Sequence, residues 1–205
     1  MTTLGAILTF IKLQLRIIGT NEDAWITQSI NYSQLRYARR KQWPQLRTTA
    51  TFTTTSAQTY DLATDFDIPI DGGFRYYIST VTSSTILLTL VSGNDAEMWR
   101  AIYVPASDPS ACQVIAGTTG ASKKLALLPT FTETGIVVTY DYLKKPATLT
   151  VSGDVLTLPE LSEAIAFDVC SLYMEWSRDT SGQAQSYAMR AKRSYFDACA
   201  TCIQQ

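Results

Sequence analysis

The sequence contains no histidine, and that absence removes several classes of function. Serine and cysteine hydrolases activate their nucleophile with an imidazole base, so Ser-His and Cys-His pairs are excluded. Metal centres that depend on imidazole are excluded for the same reason. A two-carboxylate glycosidase remains formally open, but Glu160 and Glu163 begin a predicted helix, where carboxylates stabilise the helix dipole. We therefore predict no enzyme, with no catalytic residue, no metal ligand and no cofactor.

Charged residues are also scarce. They make up 17% of the chain, whereas an average soluble domain has about 25%. Threonine, serine and glutamine take their place, and these side chains lose less solvation than Lys or Glu when a neighbour covers them. The composition fits a subunit surface covered by other subunits, and it fits a monomer with a Thr/Ser-rich surface equally well. The formal net charge of −1 excludes a generally basic nucleic-acid coat.

Long hydrophobic runs are missing as well. The most apolar stretch, "TLGAILTFIKLQLRIIG" (3–19), contains Lys12 and Arg16 and is too short to span a bilayer comfortably. It lacks the basic start and the cleavage site of a signal peptide. Its apolar residues recur at helical spacing, which predicts an amphipathic helix at the start of the fold. We expect no membrane anchor and a cytoplasmic chain.

Only four cysteines are present, and they indicate packing rather than chemistry. Cys112 and Cys170 stand alone, while Cys199 and Cys202 form a single CxxC. A zinc site would need a second pair or histidines, and the sequence has neither. A redox pair remains the alternative for the CxxC, but small apolar packing residues fit better.

The pattern of apolar residues predicts helices at both ends of the chain and strands between them. A second helix should run from near Asn21 to about Trp43, where Pro44 ends it. "NDAEMWRAI" predicts a short helix within the β region. A helix should begin at a capping box formed by Thr157 and Glu160, and a last helix should end near Cys202.

This arrangement predicts an α+β fold. The N- and C-terminal helices pack as a helical bundle, and a central antiparallel β domain is inserted between them. The expected boundaries are 1–46 with 157–205 for the helical domain and 47–156 for the β domain with one short helix.

Two groups of cations are the candidate contact residues. The first group is at the end of the second helix and just beyond it, and the second is on the last helix: Arg36, Arg39, Arg40, Lys41 and Arg47, then Arg190, Lys192 and Arg193. Arginine suits bidentate contacts with carboxylates and phosphates, so an acidic partner or DNA is one interpretation. The other is that the first group complements the negative end of its own helix dipole.

Three stretches of the chain carry a distinctive order of residues: "SINYSQLRYARRKQWPQLRTTATFTTTSAQTYDLATDF" (29–66), "VVTYDYLKKPATLT" (137–150) and "LTLPELSEAIAFDVCSLYMEW" (156–176). Together they resemble the head-to-tail adaptor (connector) proteins of tailed phages. The matching positions are Asn31, Trp43, Tyr60, Asp61, Leu62, Asp65, Phe66, Tyr140, Tyr142, Lys145, Pro146, Leu158, Pro159 and Glu160. Ala63 stands where such adaptors often have a proline.

The resemblance implies a structural virion protein that forms a ring, commonly of twelve copies, under the portal protein. The helical part would bind the portal, and the β part would face the tail, nozzle or tail-fibre proteins. Packaged DNA would pass through the channel of the ring. The protein would be located at the head–tail interface of the virion, and in the host cytoplasm during assembly.

Two other functions are kept as alternatives. One is another ring-forming tail component, such as a tail tube or stopper subunit, although tube subunits are mostly β. The other is a peptidoglycan-cleaving virion accessory. Non-specific DNA binding by the first group of cations is a further possibility, and the near-zero net charge argues against a dedicated DNA binder.

Overall fold

The computed structural model describes residues 2–55, 57–77, 85–102, 109–116, 122–129, 134–177 and 182–202. These residues form an α+β fold with helices towards both termini and strands in the middle, as predicted. The helices are α1 (Leu4–Leu15), α2 (Asp23–Ala38), α3 (Gly93–Ile102), α4 (Ser162–Trp176) and α5 (Gln183–Thr201). The strands are β1 (Arg47–Thr53), β2 (Thr59–Asp61), β3 (Phe66–Tyr77), β4 (Thr85–Leu87), β5 (Thr89–Leu90), β6 (Ala111–Ala116), β7 (Lys123–Leu128) and β8 (Val137–Lys144).

The chain divides into two compact units, 1–46 with 146–205, and 47–145. In the first unit α4 contacts α1, α2 and α5. Nearly every residue of its first two and a half turns is buried, because neighbours cover it on several sides. The amphipathic pattern of α1 is confirmed: Leu4, Ile7 and Ile11 are buried.

Residues 146–156, assigned to the β domain in the sequence analysis, lie in the helical unit. Their backbone is bound to the start of α1, where the N–H of Leu4 donates to the carbonyl of Asp154 at 2.8 Å. Two polar side chains of α2 also hold this segment. Asn31 bonds both backbone groups of Leu149, and Gln34 donates to the carbonyl of Ala147 at 2.9 Å.

Helix α2 ends at Ala38, five residues before the predicted end at Trp43. The carbonyl of Tyr37, which a continuing helix would offer to residue 41, accepts from the N–H of Arg40 at 3.2 Å. It also accepts from the indole N–H of Trp43 at 3.2 Å. Because the Trp43 ring is fully buried, tertiary packing turns the chain before Pro44, which begins a short 3-10 helix (Pro44–Leu46).

The start of α4 also differs from the prediction. A 3-10 turn (Pro159–Leu161) precedes the helix, and no side chain caps it. Instead of capping, the Thr157 hydroxyl accepts from the N–H of Ala147 at 3.0 Å. The capping-box prediction was therefore wrong, because the extended segment 146–156 occupies that hydroxyl.

The second unit contains two four-stranded sheets, in the orders β1-β8-β3-β4 and β2-β7-β6-β5. One apolar core joins them, with Phe74 and Tyr140 from the first sheet and Cys112 and Leu125 from the second. The strands are mostly antiparallel, as predicted for the central domain, and the exception is β5, which pairs with β6 in parallel. The stretch "TILLTLVS" is divided at Leu88 into β4 and β5, which belong to different sheets. The predicted short helix is present as α3.

Candidate functional site

An open groove of about 330 Å³ lies between α2 and α5 in the helical unit. Helix α2 contributes Arg36 and Tyr37, the turn that follows it contributes Arg40, and α5 contributes Lys192, Tyr195 and Phe196. Asp168 of α4 also lines it. The groove therefore brings together cations of both predicted groups, on a lining that also contains aromatic rings.

The aromatic lining holds α5 against α2. The rings of Tyr37 and Tyr195 stack with their centroids 5.1 Å apart, and Tyr195 meets the edge of Trp43 at 6.4 Å. Arg40 lies over this pair, with its guanidinium carbon 5.1 Å from the Tyr37 centroid and 5.7 Å from that of Tyr195. Burial raises the pKa of Tyr195 to about 12, so its phenol is neutral at physiological pH. Arg40 is exposed, and its charge faces solvent beside a fixed apolar surface.

Arg36 is bound to a buried carboxylate of α4. Its Nη2 forms an ion pair with Oδ1 of Asp168, while the Ser33 hydroxyl donates to Oδ2 of the same residue at 2.5 Å. Burial is the largest single influence and lowers the pKa of Arg36, but the charges of Asp168 and Tyr37 and the hydrogen bonds to both residues together outweigh it, so the pKa is raised. Its Nε is buried without an acceptor among the described residues. Arg36 therefore has a structural ion pair and one N–H left over beside the groove.

Lys41 binds the end of α5. Its Nζ donates to the carbonyl of Cys199 at 3.2 Å and lies 5.0 Å from the centroid of the Trp43 ring. A cation at the last carbonyls of a helix complements the negative end of that helix. The helix dipole is thus relevant to Lys41, but the helix is α5 and not its own α2.

Like Lys41, the remaining predicted residues do not line this groove. Arg39 is exposed just after α2. Arg190 lies 5.7 Å from the centroid of Phe167, and Arg193 lines a shallow neighbouring surface with Met189 and Phe196. Arg47 belongs to the second unit, where its Nη2 lies 3.8 Å from Oδ2 of Asp141.

Sequence reasoning missed the residues that shape the groove. Tyr37, Asp168 and Tyr195 hold the cations in place, but only their helical spacing was visible in the sequence. Asp168 is 132 residues from Arg36, and a single sequence does not show such a pairing. The apolar spacing of Tyr195 on α5 was the one signal that could have indicated a packed aromatic wall.

The described residues provide no metal site, since no three His, Cys, Asp or Glu side chains cluster among them. All four cysteines are free; Cys112 and Cys170 are buried, and Cys199 and Cys202 are half-buried. Within the described ranges, each helix is too short or too polar to cross a bilayer.

The residues that carried the resemblance have structural roles. The Tyr142 hydroxyl donates to Oδ1 of Asp65 at 2.6 Å, and the Lys145 N–H donates to the carbonyl of Asp65 at 2.7 Å. The Tyr140 hydroxyl accepts from the N–H of Ala63 at 2.9 Å, a bond that a proline at that position could not make. The contacts of these residues are therefore those of side chains that stabilise the fold, rather than those of a reactive centre.

Comparison with known proteins identifies the family. A search of curated proteins returns no significant match. A family model described as the SU10 adaptor protein matches residues 2–199, nearly the whole chain. The chain therefore belongs to the SU10 adaptor protein family, whose members are structural adaptor proteins of phages.

Proposed function

We propose that the protein is a head-to-tail adaptor that forms a ring of twelve copies under the portal and provides the attachment site for the tail. The helical unit binds the portal protein, and the β unit faces tail, nozzle or tail-fibre proteins. The ring is a virion component at the head–tail interface, built in the host cytoplasm, and DNA passes through its channel. Membership of the adaptor family supports the structural role, and the groove between α2 and α5 supports the mode of binding.

Charge in and around the groove favours an acidic partner. The segment 36–41 has four cations and no carboxylate, and α5 has three cations and one carboxylate, Asp197. Asp168 is already occupied by Arg36 and Ser33. The groove therefore has a surplus of positive charge at Arg40 and Lys192, which complements acidic side chains of a partner.

Exposed apolar groups beside these cations provide the second part of a binding surface. Phe196 is 57% exposed and Met189 is 68% exposed. Aromatic residues, methionine and arginine are enriched in protein interfaces. We infer that the groove takes a portal segment that presents carboxylates together with an apolar side chain.

Arg40→Ala with Lys192→Ala tests this binding mode. Both side chains lie at the groove, and the matched control, Arg100→Ala with Lys124→Ala, removes the same charge from the second unit. Truncating one partner of a desolvated charge pair costs about 2–5 kcal/mol. Binding to portal rings, measured by co-sedimentation, should weaken at least about 30-fold in the groove variant. The difference from the wild type should shrink with added salt, because salt screens the charge pairs that only the wild type makes.

The control variant should bind portal rings like the wild type. Equal loss in both variants would mean that net charge rather than the groove matters. Normal binding by the groove variant would place the portal contact on another surface.

An α-helical unit of this size is the observation that favours an adaptor over a tail-tube subunit, since α1, α2, α4 and α5 all belong to it.

A further inference from the structure

Strand β1 is an edge strand without the features that normally prevent edge pairing. It pairs with β8 through seven consecutive residues and without a register shift. Its sequence, RTTATFT, has no proline and no lysine, and its one charge is at the first residue. Edge strands usually avoid pairing by means of bulges, charges, prolines or short length. The other three edges in the described sheets are short: β2 and β4 have three residues each, and β5 has two.

The outward backbone groups of β1 can be identified from its hydrogen bonds. The N–H of Thr54 donates to the carbonyl of Ile136 at 2.8 Å. Backbone groups alternate in direction along an antiparallel strand, so Phe52 and Ala50 also turn towards β8, whereas Thr49 and Thr51 turn away. Among the described residues, none bonds the backbone N–H or carbonyl of Thr51.

Within the described part of the chain, strand β4 forms the opposite edge of the same sheet. The N–H of Leu88 donates to the carbonyl of Phe74 at 2.9 Å, so the backbone groups of Leu87 turn away from β3. The Leu87 side chain is 61% exposed. Leu87 opposes Arg75, Arg75 opposes Thr139, and Thr139 opposes Thr51, so one row of side chains crosses the sheet on one face.

The two edges are compatible with each other. Each of the three strand pairings in this sheet is antiparallel, so β1 and β4 run in opposite directions. When a second copy is moved sideways in the plane of the sheet without being rotated, its β4 lies beside β1 of the first copy. The two strands then run antiparallel to each other. The outward backbone groups of Thr51 and Leu87 then face each other, with both side chains on the same face of the continued sheet.

We propose that β1 of one copy pairs with β4 of a second copy, so that the first sheet continues from subunit to subunit. Repeated head-to-tail contacts of this kind close into a ring when the rotation permits. The inference rests on the proposed ring and specifies the contact between its subunits. Arg47 is the only charged residue in the two strands, so their approach meets almost no electrostatic repulsion. Pairing of β1 with β1 would instead give a closed two-fold dimer.

Disulfide cross-linking tests the pairing directly. A double variant that carries Thr51→Cys and Leu87→Cys is mixed with portal rings and oxidised. The products are then separated by denaturing gel electrophoresis without reductant. A series of covalent multimers is expected for this double variant and not for Thr51→Cys or Leu87→Cys alone. Two further double variants test registers shifted by two residues: Thr49→Cys with Leu87→Cys, and Thr53→Cys with Leu87→Cys. Dimers from Thr51→Cys alone would show two-fold pairing of β1 and would overturn the proposal, as would the absence of multimers in all three double variants.

A proline substitution provides an independent measurement. Thr51→Pro removes only an outward N–H, a position at which an edge strand tolerates proline, whereas Thr51→Ala keeps the N–H. If its circular dichroism spectrum is unchanged, the Thr51→Pro variant should assemble at least tenfold less protein into rings on the portal than the wild type. The Thr51→Ala variant should assemble normally. Normal assembly by Thr51→Pro would overturn the proposal, and a misfolded Thr51→Pro leaves the decision to the cross-links.

The outcomes separate this inference from the proposed function. Portal-bound protein that does not cross-link refutes the strand pairing and leaves the adaptor function standing. When the wild type does not bind portal rings, the adaptor function fails, and the same oxidation is carried out on the concentrated protein alone. Multimers would then support the pairing, and their absence would count against it.

Discussion

Asn31 and Leu149 exchange two hydrogen bonds across 118 residues of sequence. The Asn31 amide nitrogen donates to the Leu149 carbonyl at 2.9 Å, and the Leu149 N–H donates to the amide oxygen at 2.8 Å. Leu149 is buried, so water does not replace these bonds. A single side chain of α2 therefore satisfies both backbone groups of a residue that belongs to no helix or strand, which explains an asparagine in the middle of a helix.

Asn31→Ala should destabilise the helical unit. It leaves a buried N–H and a buried carbonyl unpaired, at a cost of about 1–3 kcal/mol. Asn31→Asp should also destabilise, because a carboxylate can accept from Leu149 but cannot donate to its carbonyl. Urea denaturation measures the free energy of unfolding, with Asn21→Ala as an exposed control next to the same helix. Equal midpoints for Asn31→Ala and the control would refute the structural role of this amide.

Arg36 and Arg40 should behave differently, although only four residues separate them at the end of α2. Arg36→Ala removes the ion pair of the buried Asp168, and the unpaired carboxylate should cost about 1–3 kcal/mol. Arg40→Ala removes an exposed cation beside two rings and should cost at most about 1 kcal/mol. A double-mutant cycle of Arg36→Ala and Asp168→Ala should give a clear coupling energy in thermal or chemical unfolding. Absence of coupling would contradict the ion pair.

The stability of the β unit should depend on pH through Asp141. The hydrogen bond from Arg75 is the largest cause that holds the pKa of Asp141 below its ordinary value of 3.8. Burial opposes this shift, and the Thr49 hydroxyl adds to it. Because the folded-state pKa is the lower one, the stabilisation is fully present above the unfolded-state pKa. It is lost as the pH falls through the folded-state pKa.

Asp141→Asn is the variant that isolates this contribution. It should be less stable than the wild type at pH 7, by about 1.5–3 kcal/mol, because it loses charge-assisted hydrogen bonds. The difference should begin to shrink below about pH 4, where the carboxyl of the unfolded wild type takes up a proton, and should shrink further as the folded carboxyl is protonated at lower pH. Melting curves between pH 7 and pH 2.5 measure both effects. A constant difference over this range would contradict the assignment.

In isolation the protein should be a monomer or a small oligomer at micromolar concentration. Strand β4 has only three residues, so each proposed strand contact contributes few hydrogen bonds and should be weak on its own. Binding to a portal ring would hold the copies side by side and raise their effective concentration. Light scattering measures the mass in solution. A stable twelve-subunit ring without the portal would contradict this expectation.

Much of the element order could be predicted from the sequence, because it depends on local patterns. The helical spacing of Leu4, Ile7 and Ile11 predicted α1, and "NDAEMWRAI" predicted α3. The end of α2 could not be predicted, because it depends on the burial of Trp43 and on the bond from its indole to Tyr37. Local signals favoured Pro44 as the stop, and tertiary packing ended the helix earlier.

The candidate groove was predictable only in part. The cations were visible as a composition feature, but their distribution depends on how α5 packs against α2. The stacking of Tyr37 with Tyr195 places Arg40 and Lys192 at one groove, and the ion pair with Asp168 occupies Arg36. Residues more than 100 positions apart determine both outcomes, and no pattern within one sequence relates them.

Electron microscopy of the protein mixed with portal rings shows directly whether it is an adaptor. We expect an additional ring of density on one end of each portal, with twelve-fold rotational symmetry and with the helical unit at the portal surface. Portal rings that remain bare at saturating protein concentration, while the protein stays folded, would contradict the adaptor function. A bound ring that contacts the portal through the β unit would contradict the proposed role of the groove.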